Sequence, residues 1–216
     1  MRALKALVAA VALGALHGAA PGTPVVKLRR IAGGDDALEV FVHSPDRDGL
    51  FAAIVIALDR MGLAIHQARA LDGVDGTIFD TFQVLPVDPR QKPDIVAIER
   101  KLQTVLSGSL DVRPVRRAQP RHLRHFRTPV RIDFSTTPDG RRTVMSLVCT
   151  DRPGLLADVA YVLRGQGVRV HDARIATFGA RAEDVFRISD REDRALDEAA
   201  LESLRQALQA GIEGGT

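Results

Sequence analysis

The sequence has little cysteine and few aromatic residues. Its 216 residues include one cysteine, Cys149, so no disulfide can form within the chain and no cysteine pair can hold zinc. Tryptophan is absent and aromatic side chains make up 4% of the residues, which argues against a base-stacking surface for nucleic acid. We therefore expect a protein of a reducing compartment, the cytoplasm, that holds no metal.

Neither sign of charge is in excess, and no long hydrophobic run is present. Thirty Lys and Arg residues against 27 Asp and Glu give a net charge of +3, too small to predict nucleic-acid binding. The 45% of hydrophobic and 26% of charged residues are typical of globular proteins and exclude a disordered chain. The apolar stretch 6–16 is too short to span a bilayer, so we expect no membrane association.

The first 36 residues form a segment of their own. A charged start before the apolar stretch is typical of a signal peptide, but the Ala and Leu content suits a surface helix or the end of an upstream domain equally well. Glycines and prolines between Gly18 and Asp36 indicate a linker. We assign 1–36 to an N-terminal helix and linker.

Five short blocks of sequence occur twice. Four of them are displaced by 105 positions and the fifth by 104, so register is kept across about 40 residues. The recurring blocks are 46–50 and 151–155, Gly62 and Gly167, His66 and His171, 68–69 and 173–174, and 80–82 and 184–186. We infer that the chain contains two copies of one module.

Hydrophobic periodicity predicts the elements of the first copy. Alternating apolar residues over 38–42 predict a strand, and helical spacing over 48–61 predicts a helix that ends at Gly62. Residues favourable to β-structure predict strands over 64–71 and 78–85, and a second helix is predicted over 90–107.

The second copy shows the same order. The predicted elements are a strand over 144–148, a helix opened by Pro153, a hairpin about Gly179 that joins 168–178 to 182–188, and a helix over 196–208. The order β-α-β-β-α, with a fourth strand optional, is the ferredoxin-like pattern of an α+β fold.

The fourth strands are less clear from the sequence. Residues 130–134 are the best candidate for the fourth strand of copy one, and copy two either lacks its fourth strand or borrows one. We therefore predict modules over 37–110 and 142–212, joined by a basic connector over 111–141 with a strand at 129–135.

The repeated Asp-Arg-x-Gly-Leu turn, between the first strand and first helix of each copy, resembles the ACT regulatory family. The phrases at 40–51, 121–126, 151–156, 173–179 and 183–186 resemble more narrowly the C-terminal tandem ACT region of the bifunctional enzymes that uridylylate and deuridylylate signal protein PII. The resemblance covers about residues 37–210 and implies two ferredoxin-like βαββα(β) ACT modules in tandem. It further implies glutamine sensing in nitrogen metabolism, assembly into a homo-oligomer, and a catalytic domain or PII-pathway protein as partner.

The sequence carries no pattern for the catalysis of that family. Gly108-Ser109 is followed by Asp111 alone rather than by the Asp-x-Asp pair that would hold a magnesium nucleotide. The one His-Asp dipeptide, His171-Asp172, lies on a predicted strand, where neighbouring side chains point to opposite faces. A hydrolytic metal site needs several converging ligands. We expect no catalytic residue, no metal and no cofactor in this chain.

The repeated turn is the candidate amino-acid site. Free backbone N–H groups and the positive end of the helix dipole attract a carboxylate, glycine admits it closely, and aspartate can accept hydrogen bonds from an ammonium group. The candidate ligand residues are Asp46, Arg47, Asp48, Gly49 and Leu50 of turn 1 (46–50), Asp151, Arg152, Pro153, Gly154 and Leu155 of turn 2 (151–155), and His66 and His171. The alternative is that these residues only cap helices, shape turns and pack.

The two turns differ at one position. Turn 1 has Asp48 where turn 2 has Pro153, and a carboxylate in the first helical turn repels an incoming carboxylate. We therefore predict that turn 2 is the better amino-acid site. An alternative function is dimerisation of the modules without ligand. The seven arginines of 113–131 indicate a solvated linker or an electrostatic contact with a catalytic domain, a partner protein or RNA.

Overall fold

The computed structural model describes residues 22–31, 36–71, 73, 76–110, 113–115 and 128–213. These residues contain nine strands and four helices, arranged as two antiparallel sheets with helices packed against them. Residues 1–21 of the predicted N-terminal helix and linker, and most of the arginine-rich connector, lie outside the described residues. No helix in the described part of the chain is both long and apolar enough to cross a membrane.

Module 1 is a four-stranded sheet covered by two helices. Its elements are β1 (Val25–Arg30), β2 (Leu38–Pro45), α1 (Leu50–Arg60), β3 (Leu63–Arg69), β4 (Thr77–Pro86) and α2 (Ile95–Ser107). The spatial order of the strands is β1-β2-β4-β3, and every neighbouring pair is antiparallel. Alternate residues of β2 and β4 are buried beneath the helices, which is why the period-two pattern predicted these strands.

Module 2 repeats this arrangement. Its elements are β5 (Arg131–Thr136), β6 (Thr143–Thr150), α3 (Leu155–Gly165), β7 (Arg169–Arg174), β8 (Thr177–Phe178), β9 (Arg181–Ser189) and α4 (Glu198–Glu213). The strand order is β5-β6-β9-β7, with β8 pairing beside the start of β9. Val40 pairs with Phe82 in module 1, and the equivalent residues Met145 and Phe186 pair in module 2. The predicted α+β fold of duplicated ferredoxin-like modules is therefore confirmed.

The fourth strand of each sheet precedes the rest of its module in the chain. β5 was predicted to complete copy one, but it pairs with β6 of module 2, so that prediction was wrong. The reason is local: the loop 137–142 is closed by hydrogen bonds between Thr137 and Arg142, and a short loop joins antiparallel neighbours. Copy two thus neither lacks nor borrows a fourth strand.

The equivalent strand of module 1 lies in the segment predicted to be a linker. β1 pairs along its whole length with β2, from Val25 opposite His43 to Arg30 opposite Leu38. Val26 and Leu28 are buried in the core. The glycines and prolines on both sides of this segment obscured a six-residue strand that forms because it can cover the open edge of β2.

Both first helices begin at a left-handed glycine. Gly49 has φ of 79° and Gly154 has φ of 80°, a conformation that side chains with a Cβ rarely adopt. Pro153 was predicted to be the first helical residue, but it lies two positions before Leu155 because the glycine must turn the chain before the helix can start. The final helix α4 also extends beyond its predicted end at residue 208, to Glu213.

The modules pack side by side through α1 and α3, with β3 next to β7. Every residue from Leu50 to Asp59 is buried, because α1 lies between its own sheet, α2 and α3. This packing brings the turn that precedes each first helix against the other module.

Candidate functional site

Turn 2 opens into a cleft between the modules. The cleft has a volume of about 360 Å³, within the roughly 300–1,000 Å³ that is usual for small-molecule sites. Module 2 contributes turn 2, the start of α3 and residues of β9, and module 1 contributes the end of α1 and the first half of β3. Five predicted site residues, 151–155, therefore lie together at one site with His66.

Turn 1 faces a much smaller space of about 30 Å³. Arg169 of module 2 forms an ion pair with Asp46, and the side chain of Arg164 lies against Gly49. A Cβ atom added to Gly49 would be 2.9 Å from Arg164 Cδ. Arg164 also donates a hydrogen bond of 2.7 Å to the carbonyl oxygen of Leu110. Two guanidinium groups thus occupy the place where a ligand of turn 1 would lie.

The difference in size between the two spaces arises at two pairs of equivalent positions in the repeat. The displacement of 105 aligns Asp59 with Arg164 and Ala64 with Arg169. Turn 2 therefore faces two short side chains where turn 1 faces two long ones. A Cβ added to Gly154 would be 3.8 Å from Asp59 Oδ1, an ordinary contact distance. The shorter side chains of module 1 leave the cleft at turn 2 open.

The arginines of the two turns hold the turns to their own modules. Arg152 is buried, forms an ion pair of 2.6 Å with Asp158, and donates a 3.4 Å hydrogen bond to the carbonyl oxygen of Ile212. Arg47 donates equivalently to the carbonyl oxygen of Leu106. Both arginines thus reach the end of the second helix of their module, where the helix dipole favours a cation. Their geometry identifies them as turn-positioning residues.

The start of α3 offers backbone N–H groups to the cleft. Gly154 is the N-cap residue and provides no side-chain hydrogen bond, so the amides of the first turn have no side-chain cap. The side chain of Leu155 is buried in the core, as is that of Leu50 in module 1, so neither leucine presents polar atoms to a ligand. Asp48 is exposed and precedes α1, whose first turn contains no acidic residue. The first turn of α3 contains Asp158, which is paired with Arg152, so the predicted placement of a repelling carboxylate in the first helical turn of module 1 alone was wrong.

Asp184 of β9 lines the cleft but was not among the site residues predicted from the sequence. It lines the cleft with only 2% of its surface exposed, and one oxygen, Oδ1, has no hydrogen-bond partner among the residues described. The Ala176 N–H donates to this carboxyl group. Burial raises the pKa of Asp184 to about 7, and the nearby Asp151 carboxylate acts in the same direction.

A signal for Asp184 was present in the sequence. It stands between Ala182 and Phe186 on the buried face of a strand, where an apolar residue is expected, and Asp80 recurs at the equivalent place in module 1. Both aspartates are buried in the structure. The recurrence of aspartate at positions 80 and 184 contributed to the detection of the repeat but did not lead to the prediction of a site residue.

The two predicted site histidines lie in different environments. Each is the extra residue of a β-bulge, between Ile65 and Gln67 in β3 and between Val170 and Asp172 in β7. His66 is exposed and lines the cleft. The structure does not bring His171 to either turn.

His171 is instead part of a buried polar contact within module 2. Its Nε2 atom lies 2.8 Å from Ser189 Oγ and 3.4 Å from Asp193 Oδ1, and Arg142 also contacts it. The neighbouring Asp172 approaches Arg187 at 4.0 Å. Among the residues described, no three His, Cys, Asp or Glu side chains are grouped closely enough to hold a metal ion.

Comparison with family models identifies the type of domain that module 2 forms. Residues 143–209 match the family model of the ACT domain. Module 1 repeats module 2 in strand order and register, so the chain carries two modules of the ACT-type fold in tandem.

Individual relatives identify the matching region more narrowly than the family model does. The chain is 58% identical over 193 residues to the bifunctional uridylyltransferase/uridylyl-removing enzyme of Xanthomonas axonopodis pv. citri (strain 306), a match covering 89% of this chain and 22% of that enzyme. It is 39% identical over 177 residues to the enzyme of the same name from Methylococcus capsulatus, covering 80% of this chain and 20% of that enzyme. The chain thus spans about a fifth of the length of these relatives. It corresponds to their C-terminal ACT region and not to their catalytic domains, and the resemblance inferred from the sequence is confirmed.

Two solved structures also align with this chain. The aspartate kinase of Synechocystis aligns over 82% of this chain and 27% of its own, with 14% identity and a TM-score of 0.47. The regulatory subunit of aspartate kinase from Thermus thermophilus aligns over 84% of this chain and 95% of its own, with 18% identity and a TM-score of 0.28.

Proposed function

We propose that this chain is an amino-acid-binding regulatory region with one ligand site, the cleft at turn 2. The observation that carries the proposal is the contrast between the open cleft of about 360 Å³ at turn 2 and the space of about 30 Å³ at turn 1. Turn 1 holds Arg164 and Arg169 in place of a ligand, so one molecule should bind per chain.

The chemistry of the cleft suits a zwitterion. The Leu155 N–H donates to the Arg152 carbonyl oxygen, and the amides that follow it in the first turn of α3 have no side-chain cap and suit a carboxylate. Gly154 has no side chain in the way of a ligand. The carboxylates of Asp59, Asp151 and Asp184 line the same cleft and favour a positively charged group. A small amino acid carries both groups.

Glutamine is the amino acid that we propose first. Its support is the resemblance to the enzymes that uridylylate PII, which implies a C-terminal glutamine sensor, and the 58% identity to a bifunctional uridylyltransferase/uridylyl-removing enzyme. In the longer enzymes, ligand binding here would change uridylylation of PII in the cytoplasm by acting on the catalytic domains.

The position of the cleft supports a route for regulation. A ligand seated at turn 2 would contact α1 and β3 of module 1 as well as module 2. It would therefore favour one packing of the two modules over others, and regulation requires such a difference in affinity between states.

A thermal-shift screen of the twenty L-amino acids, followed by isothermal titration calorimetry, tests the proposal. A ligand that binds only the native state raises its melting temperature, and we expect one site per chain. The blocking variant is Ala64→Arg, which copies the arginine found at the equivalent position 169 of module 2. The matched control is Ala199→Arg on the exposed side of α4.

We expect Ala64→Arg to weaken binding at least tenfold and Ala199→Arg to leave it unchanged. If no amino acid stabilises the wild-type chain and the chain nevertheless dimerises on a sizing column, the alternative of ligand-independent association is favoured. Two equal sites per chain would contradict the asymmetry between the turns.

A further inference from the structure

We propose that Asp184 is the residue that selects an ammonium-bearing ligand, because its carboxylate receives the α-ammonium group of the bound amino acid. This inference rests on the proposed function of the cleft at turn 2. It assigns the two ends of the ligand to two parts of module 2: the carboxylate to the start of α3 and the ammonium to β9.

The geometry of Asp184 supplies the first argument. Its side chain lies on the buried face of β9, lines the cleft and has only 2% of its surface exposed. One carboxyl oxygen receives the Ala176 N–H, whereas Oδ1 has no hydrogen-bond partner among the described residues. A buried carboxylate that lacks a partner is costly, and a ligand ammonium group would provide both the missing donor and the opposite charge.

The charges around the cleft supply the second argument. Asp151 of turn 2 and Asp59 of α1 add carboxylates to the lining of the cleft, and Cys149 on β6 is a further titratable neighbour of Asp184. Among the described lining residues, the basic ones are Arg152, which is bound to Asp158 and to the carbonyl oxygen of Ile212, and the exposed His66. The deep part of the cleft therefore favours a cation.

An organic cation fits this site better than a metal ion. The described carboxylates do not form a group of three that could hold a metal. The start of α3 lines the same cleft and its amides suit an anion, so a ligand with opposite charges at its two ends matches both features.

The protonation of Asp184 gives the proposal a further readout. Burial raises the pKa of Asp184 to about 7, so much of the ligand-free protein carries a neutral side chain at neutral pH. An ammonium group binds better to the ionised carboxylate, so affinity should fall by about tenfold per pH unit below this value, and binding near pH 7 should release a proton.

The experiment is calorimetric titration of the wild-type chain at pH 6 and pH 8 with L-glutamine and with glutaramic acid, the same molecule without its amino group. The variant is Asp184→Asn, which keeps the shape and the acceptor for the Ala176 N–H. The matched control is Asp80→Asn, at the equivalent buried position of module 1, whose turn is filled by arginines.

We expect the wild type to bind L-glutamine about tenfold more tightly at pH 8 than at pH 6 and to bind glutaramic acid at least tenfold more weakly. Asp184→Asn should lose at least tenfold in affinity for glutamine and lose the pH dependence, while Asp80→Asn keeps both. Equal binding of both ligands by the wild type would overturn the proposal even if Asp184→Asn failed to fold. The proposal would also be overturned if Asp184→Asn bound glutamine with the affinity and pH dependence of the wild type. Absence of binding of every amino acid to the wild type would instead remove the proposed function, and this inference with it.

Discussion

Replacing Asp184 with Asn should stabilise the ligand-free protein at pH 8 and have little or no stabilising effect at pH 5. The substitution removes a charge from a side chain that is 2% exposed while preserving its size and its acceptor for the Ala176 N–H. If Asp184 serves a ligand, the protein without ligand bears the cost of burying it. A binding residue is then also a source of instability.

The magnitude follows from the pKa of Asp184, which burial raises from an ordinary value of 3.8 to about 7. Each pH unit of difference corresponds to about 1.4 kcal/mol, so the ionised carboxylate destabilises the native state by up to about 4 kcal/mol above pH 7. The sign follows from linkage. Below pH 3.8 the group is neutral in both states and costs nothing, the penalty grows as pH rises from 3.8 to 7, and it is complete above 7.

The amide of Asn has its own cost of burial, about 1–3 kcal/mol, so the net gain at pH 8 should be about 1–3 kcal/mol. For a chain of this length, that corresponds to an increase in Tm of roughly 2–12 °C. The amide does not titrate, so its cost cancels when two pH values are compared. The advantage of Asp184→Asn over the wild type should therefore be about 2–3 kcal/mol larger at pH 8 than at pH 5.

Urea unfolding of both proteins at the two pH values measures this difference. Asp133→Asn, on the exposed side of β5, is the control for removing a negative charge and should change stability by less than about 0.5 kcal/mol. If the wild type and Asp184→Asn differ by the same amount at pH 5 and pH 8, the carboxylate is ionised at no cost and the reasoning is refuted.

Two further predictions concern the turns and the cysteine. Gly154→Ala should lower the free energy of unfolding by about 1–2 kcal/mol because residue 154 has a φ of 80°. Gly49→Ala should lower it more, because its Cβ would also displace Arg164. Thermal unfolding measures both losses, and a smaller loss in Gly49→Ala would contradict the packing of Arg164 on turn 1. Cys149 is buried, and its pKa is raised to about 12 by burial and by the nearby carboxylates of Asp184 and Asp151. A thiol reagent at pH 8 should therefore label it only in denaturant. Rapid labelling of the native protein would show that β6 is more accessible than described.

The sequence by itself determined the duplication, the nature of most elements and the two turns. These features depend on local signals: alternation of apolar residues on β2 and β6, helical spacing on α1 and α3, and glycines at 49 and 154 where the chain must adopt a left-handed conformation. Such signals are contained within a few residues, so the repeat of 105 positions makes each of them visible twice.

Only the tertiary structure decided which sheet each fourth strand joins and how the turns differ. β5 reaches β6 across the short loop 137–142, but the strand patterns of β1 and β5 do not indicate which sheet has an open edge to receive them. Asp48 and Pro153, which predicted a difference between the turns, lie within the turns themselves. The structural difference comes instead from Asp59 and Ala64 facing one turn and Arg164 and Arg169 facing the other, each more than 80 residues away in the chain from the turn it contacts. Packing of the two modules brings these residues together, and no local pattern encodes that contact.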